Sequence, residues 1–486
     1  VEAAIAAVWR ALLGLDAVGR DENFLSLGGD SLLATRAVTR LREIGIDGVD
    51  LGRVFARPVL RDFADGLSLG AARGASAPVP DLARRHEPFP PTEVQRAYWM
   101  GRSTDFDLGG VSCHFYTEFD GTGLDLERLE EVWNRLIARH EMLRGVFDAD
   151  GRQRILERVP RFRILVVDAA PGGEERALRD LREAMSEQVL DPSRWPLFDV
   201  RAVRSGDHVR LGVSLDSLLI DALSTMILRA EIETLYADLD APLRPVGISF
   251  RDYVLQVKPP ADTLEADRAY WARRVDELPP GPQLPLARHP STVGKPHFER
   301  RRLMVPPDRY QALLRRARSH GLTASSVLAT AFAEVLGAWS ARPDLTINLT
   351  LFDRREVHPD ITNILGDFTS LMLLSHRPRA EEGWLDRATR LQAESVENLA
   401  HSGVSAIWVM RELSRRGGTM DAGMPVIFTS TIGMGGAVPT GPAKPVLTPG
   451  WGISQTPQVW IDCQIVEVAE GLSVTWDVVE ALFPAG

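Results

Sequence analysis

The run VSLDSLLIDALS, residues 213–224, sets two aspartates five positions apart among mostly apolar residues. Burying a carboxylate is costly unless it is paired or hydrogen-bonded. Asp216 and Asp221 are therefore either anchors of a strand-to-helix corner or groups that handle protons. A second chemically suggestive stretch is NFLSLGGDSLLA, where two glycines, Asp30 and Ser31 open an amphipathic helix. The glycines permit a tight turn and Asp30 can cap the helix. Ser31 then sits at a helix N-terminus, where N–H groups and the helix dipole favour a phosphate. Plain N-capping explains the same Asp–Ser pair.

The elements around these residues divide the chain. Residues 1–67 read as a small all-α bundle: Ile5, Val8, Leu12 and Leu13 recur at helical spacing, as do Leu33, Ala37, Leu41 and Ile44. Residues 68–88, rich in Gly, Ala, Ser and Pro, carry no periodicity and read as a flexible linker. From Phe89 helix and strand patterns mix. Residues 126–140 predict an amphipathic helix capped by Asp125. In HVRLGVSL, Val209, Leu211, Val213 and Leu215 alternate as in a half-buried strand that runs into Asp216. TASSVLATAFAEVLGAW is an apolar helix, and DLTINLTLF, PVIFTSTIG, QVWIDCQIVEVAE and LSVTWDVV are strand-like. The Pro- and Gly-rich stretch 439–452 reads as a mobile loop over a site.

The 486 residues predict about three folding units. A hydrophobic fraction of 44% and a charged fraction of 25% suit a soluble globular protein. A net charge of −10, with arginine pairs scattered rather than striped, argues against nucleic acid as a partner. Two cysteines, Cys113 and Cys463, form no disulfide framework and fit a reducing, cytoplasmic setting. The histidines show no zinc-site spacing. No signal peptide or bilayer-length apolar run is found, so no membrane is expected. The chain opens inside an apparent helix without a methionine, as a segment of a longer protein would.

The bundle with Leu-Gly-Gly-Asp-Ser opening its second helix resembles the peptidyl carrier domains of nonribosomal peptide synthetases. Residues 89–486 resemble the condensation superfamily of those synthetases, whose usual corner reads His-His-x-x-x-Asp-Gly. Here Asp216 and Ser217 stand at the two histidine positions, the mark of heterocyclisation domains. FPPTEVQRAYWMGR (with Pro91 where leucine is usual), RHEMLRGVFDADGRQRILE, LPPGPQLPL, TASSVLATAFAEVLGAW, LGDFTSLMLL, MPVIFTSTIG and SQTPQVWID follow in the family's order.

The resemblance implies a two-lobed α/β fold like chloramphenicol acetyltransferase, with lobes of about 89–260 and 261–486. It implies 4′-phosphopantetheine on Ser31, with Asp30 beside it. It also implies amide formation with a carrier-bound Cys, Ser or Thr, then cyclodehydration to a thiazoline or oxazoline. The expected partners are neighbouring synthetase domains, an acceptor carrier and a phosphopantetheinyl transferase. Catalytic roles fall on Asp462 and Thr429, with Gln458 orienting substrate or Asp462. Asp462, among Trp460, Ile461 and Cys463, is expected to be desolvated, which raises its pKa. Asp221 is read as structural, paired with Arg354. Asp216 stays open between structure and catalysis, pointing from its strand end toward the presumed channel, and Asp367 and Thr369 shape that channel. Condensation without ring closure and a non-catalytic scaffold are the competing readings. A hydrolase lacks its GxSxG elbow here, and a dinucleotide enzyme its GxGxxG.

Overall fold

In the computed structural model the carrier unit is built from α1 (Glu2–Leu13), α2 (Ser31–Glu43), α3 (Leu51–Ala56) and α4 (Leu60–Ala64). The structure describes residues 1–70, 77–417, 423–434 and 445–484, without the side chains of Ser31 and Leu32. Asp30 caps α2 by accepting from Leu33 N at 2.8 Å, and Asp50 caps α3 from Arg53 N at 2.8 Å. Trp9 is fully buried at the centre, its ring 5.0 Å from Phe24 and 5.7 Å from Phe63. Ile5, Leu41 and Val54 close the core around it.

The segment after the bundle is tied down more than its composition predicts. Ser68–Leu69 pairs with Ile46–Asp47. Farther on, Val79 exchanges hydrogen bonds with the Gln256 side chain at 2.9 and 2.8 Å, and Asp81 N donates to Asp252. A segment without helix or strand periodicity can still be fixed when side chains satisfy its backbone groups.

Among the described residues eleven strands form the two main sheets: β1 (His114–Thr122), β2 (Leu165–Asp168), β3 (Phe198–Ser205), β4 (His208–Asp216), β5 (Phe298–Val305), β6 (Leu345–Phe352), β7 (Thr369–His376), β8 (Val426–Ser430), β9 (Thr448–Gln455), β10 (Ile461–Val468) and β11 (Gly471–Val479). The first sheet runs β9-β1-β4-β3-β2 and the second β7-β6-β8-β10-β11-β5. Helices Leu126–Arg139 and Ala222–Ala237 bury Trp133, Leu136, Ile227 and Leu228 in the core of the first lobe. Asp125 caps the former helix as expected. In the second lobe, β6, β8 and β10 are parallel, and helix Ala324–Trp339 buries Phe332, Ala333 and Leu336 in its core.

Two expectations change. β4 is buried at every residue from Leu211 to Asp216, because it is a central strand covered on both faces. Residues 448–452 are not loop: they belong to β9, which crosses from the second half of the chain to pair antiparallel with β1. Positions 439–444 of that expected loop lie outside the described residues. The crossing strand brings residues from both halves of the chain together where the sheets meet.

Candidate active site

Strand register assembles the site. Arg300 on β5, Asp477 on β11 and Asp462 on β10 lie directly opposite one another across three adjacent strands. Two residues along, and so on the same face, Thr475, Gln464 and Thr429 form the next row. Two carboxylates opposed in a ladder repel, and the chain compensates at Asp477. Its oxygens accept from Arg300 at 2.7 and 2.6 Å and from Ser454 N at 3.0 Å. Asp477 is thus a fully buried, fixed negative charge beside Asp462.

Asp462 is 7% exposed. Its Oδ2 accepts from Gln464 Nε2 at 2.7 Å and lies 3.2 Å from Ser454 Oγ, while its Oδ1 is buried without a hydrogen-bond partner among the described residues. The Ser454 hydroxyl is also 3.0 Å from Asp477, so its one proton serves one carboxylate at a time. Burial, and next the charge of Asp477, push the Asp462 carboxyl up to about 6. Desolvation disfavours the ionised form and a like charge reinforces it. The group is therefore poised to take and return a proton near neutral pH.

Asp462 faces a cavity of about 270 Å³ between the lobes, which Tyr98, Cys113, Thr350, Thr429 and Gln464 also line. Thr429 Oγ1 shares a 2.8 Å hydrogen bond with Thr350 Oγ1 on the neighbouring strand. Gln458 stands at the rim, exposed, in a left-handed turn with φ 64°. Asp462 is held instead by Gln464 and Ser454. Period-2 reading from Asp462 would have found Gln464; Ser454 arrives on the crossing strand β9 and has no local signal.

The opening pair of aspartates divides by geometry. Asp221 caps helix Ala222–Ala237 through Ser224 N at 2.6 Å, accepts from Arg354 at 3.0 Å and takes Phe368 N at 3.2 Å. It also borders the cavity. Arg354 reaches the Ile361 and Ile364 carbonyls at 3.1 and 2.8 Å and stacks on Phe368 at 4.1 Å. Asp216 does not face the cavity, a correction to the expectation above. One of its oxygens pairs with Arg102 and the other accepts from Leu218 N at 3.0 Å, because the corner turns the carboxylate back onto the opening FPPTEVQRAYWMGR motif. Asp367 is fully buried; Oδ1 accepts from Thr369 N at 3.1 Å and Oδ2 has no partner among the described residues. Burial pushes its carboxyl up to about 8. Thr369 lines the cavity.

On the carrier, Ser31 is the first residue of α2; its side chain lies outside the described residues. Asp30 and Thr35 border a second cavity of about 170 Å³; Phe428, Ser430 and Ile432 line it while Ile427, Thr429 and Thr431 line the first, so the two lie on opposite faces of β8. Gly433, with φ 82°, faces Asp30 so closely that a Cβ there would fall 1.9 Å from Asp30 Oδ2. Only a residue without a Cβ fits opposite Asp30 there, so the start of α2 is closely seated on the second lobe. Among the described residues no cluster of His, Cys, Asp and Glu could hold a metal, and no single helix is long and apolar enough to cross a membrane.

Comparison with known proteins agrees with this arrangement. The phosphopantetheine attachment site family matches residues 3–67 and the condensation domain family residues 87–426. Pyochelin synthetase PchF of Pseudomonas aeruginosa is 38% identical over 84% of this chain, which spans 23% of that protein. Phenyloxazoline synthase MbtB of Mycobacterium tuberculosis is 36% identical over 98% of this chain, which spans 34% of it. The EpoB cyclization-docking bidomain from Sorangium cellulosum shares the fold with a TM-score of 0.77 at 36% identity, covering 85% of this chain and 84% of that one. The chain therefore belongs to the condensation domain family, as a heterocyclisation-type unit of a nonribosomal peptide synthetase preceded by a phosphopantetheine-bearing carrier.

Proposed function

We propose that this chain joins a donor acyl group to a carrier-bound Cys, Ser or Thr and then closes the new amide into a thiazoline or oxazoline. The observation that carries the reading is Asp462: a buried carboxylate with one oxygen held by Gln464 and the other unpartnered among the described residues, beside Thr429 on a shared cavity face. The 4′-phosphopantetheine arm, when attached to Ser31, supplies the donor as a thioester.

That thioester would give the amide, the acceptor amine replacing the arm at the donor carbonyl. The acceptor's side-chain thiol or hydroxyl then adds to the amide carbonyl, its proton ending on the former carbonyl oxygen. Asp462 takes the proton from nitrogen and returns it to that oxygen, which leaves as water while the C=N bond forms. Such a proton relay contributes roughly 10²–10⁴-fold. Thr429 holds the departing oxygen by hydrogen bond, with Thr350 fixing its rotamer. Asp216 and Asp221 hold the corner and take no proton in this scheme. The acceptor arrives on a second carrier, and a phosphopantetheinyl transferase loads Ser31.

The test uses Ser31 loaded with a donor thioester and a cysteinyl acceptor carrier, read by intact mass. Asp462→Asn and Thr429→Val are expected to stop at the linear amide. Ring formed at the wild-type rate by Asp462→Asn contradicts the assignment.

A further inference from the structure

The carrier does not simply hang from its linker. Its helix α3 packs against helix Trp384–Ala400 of the second lobe, whose Val396, 5% exposed, joins the carrier's own hydrophobic core with Leu399 beside it. Beyond this apolar contact, Arg36 and Arg40, one helical turn apart on α2, converge on one carboxylate. Arg36 Nε lies 2.5 Å from Glu356 Oε1 and Arg40 Nη2 lies 3.2 Å from Glu356 Oε2. Glu356 is 16% exposed, so these pairs are sheltered from the screening that weakens open surface pairs. Glu43, at the end of α2, is pushed above the usual carboxylate range by burial and next by Glu356, so the end of the helix also senses that charge.

The loop carrying Glu356 is held by contacts that do not involve the carrier. Two residues earlier, Arg354 is bound to Asp221 and to the Ile361 and Ile364 carbonyls. Tyr253 donates to the Asp353 carbonyl at 2.7 Å, and Arg355 N donates back to Tyr253 at 3.2 Å. A preorganised receptor charge loses little on binding and favours one register of the incoming helix. In that register Asp30 and Thr35 border the cavity that Phe428 and Ser430 line on the second lobe.

We propose that Glu356 is the docking carboxylate for the fused carrier, fixing α2 through Arg36 and Arg40 in one register that seats the start of α2, with Ser31 at its head, against the second lobe. The inference deepens the reading of Ser31 as donor carrier and rests on it. The partner it selects is a carrier helix with two cations one turn apart. A carrier with acidic residues at those positions is rejected, because like charges meet at a fixed carboxylate.

Two measurements on the full chain decide it. Hydrogen exchange on the unloaded protein reads docking without chemistry: Glu356→Arg is expected to lose protection across Trp384–Ala400, and the triple variant Glu356→Arg, Arg36→Glu, Arg40→Glu to regain it. Amide formation is then compared between donor loaded on Ser31 and donor supplied as a diffusible acyl-pantetheine thioester. The ratio of the two rates is expected to fall about tenfold in Glu356→Arg and to recover in the triple variant. Unchanged protection and ratio overturn the proposal. A loss that the charge swap does not repair overturns it too, since the charges were then not the cause. If the wild type makes no amide from either donor, the functional reading fails, while exchange still decides the docking.

Discussion

Asp462 and Asp477 are the same residue type on facing strands, and their surroundings give them opposite characters. Asp477 is paired with Arg300, whereas Asp462 accepts only from neutral donors among the described residues and is pushed up to about 6 by burial and next by Asp477. If its ionised form starts ring closure, the closure rate rises with pH through about 6 and levels above it. About a tenth of such a group is ionised at pH 5 and about nine-tenths at pH 7. Asp477→Asn removes the facing charge and frees Arg300, both of which favour ionised Asp462. The midpoint of the ring-closure profile is expected to drop by about one pH unit, while the amide-forming step, measured in the same reactions, keeps its profile. An unmoved midpoint would show that Asp477 does not tune Asp462. Asp367 makes a stability prediction. It keeps its proton to about pH 8 in the folded chain, whereas an unfolded carboxyl loses it near ~3.9. The folded state binds more protons across that window, so this group's contribution to stability falls as pH rises through it. Asp367→Asn is therefore expected to raise the melting temperature, relative to wild type, more at pH 8 than at pH 5. The desolvation of Asp462 was legible from its apolar neighbours in QVWIDCQ. Its partners were not, because Asp477 and Ser454 reach it only through strand register.

At the scale of elements, the Asp221–Arg354 pair ties a helix of the first lobe to a loop of the second, with Phe368 N and the Phe368 ring completing the latch. Removing one partner of a buried pair leaves the other charged and unpaired, which costs ~3–5 kcal/mol, with a further ~1 kcal/mol for the lost cap. Asp221→Ala should lower thermal stability by that order and reduce amide formation and ring closure together. A selective loss of ring closure would make Asp221 part of the dehydration instead. Long periodic elements, such as Leu126–Arg139 behind Asp125 and Ala324–Trp339 behind Thr323, were readable because cap and apolar stripe are local. β9 was not. Its sequence, TPGWGISQ, is rich in turn formers, and only pairing with β1 makes it a strand. The partner of Asp216 escaped for the same reason: Arg102 lies in a motif more than a hundred residues earlier.

For the whole molecule, the second lobe's sheet carries the cavity of Thr429 and Asp462 on one face and a second cavity, bordered by Asp30 of the carrier, on the other. The carrier is seated by an apolar contact at Val396 and a charged one at Glu356. The composition of residues 68–88 predicted freedom for this unit, and the structure instead anchors residues 79–81 to helix Phe250–Gln256. The most direct measurement is the intact mass of the product from Ser31-loaded chain and cysteinyl acceptor, for wild type and Asp462→Asn. The account predicts a wild-type product one water lighter than the linear amide and only linear amide from the variant. Linear amide from both would contradict it, leaving a condensation catalyst without ring closure.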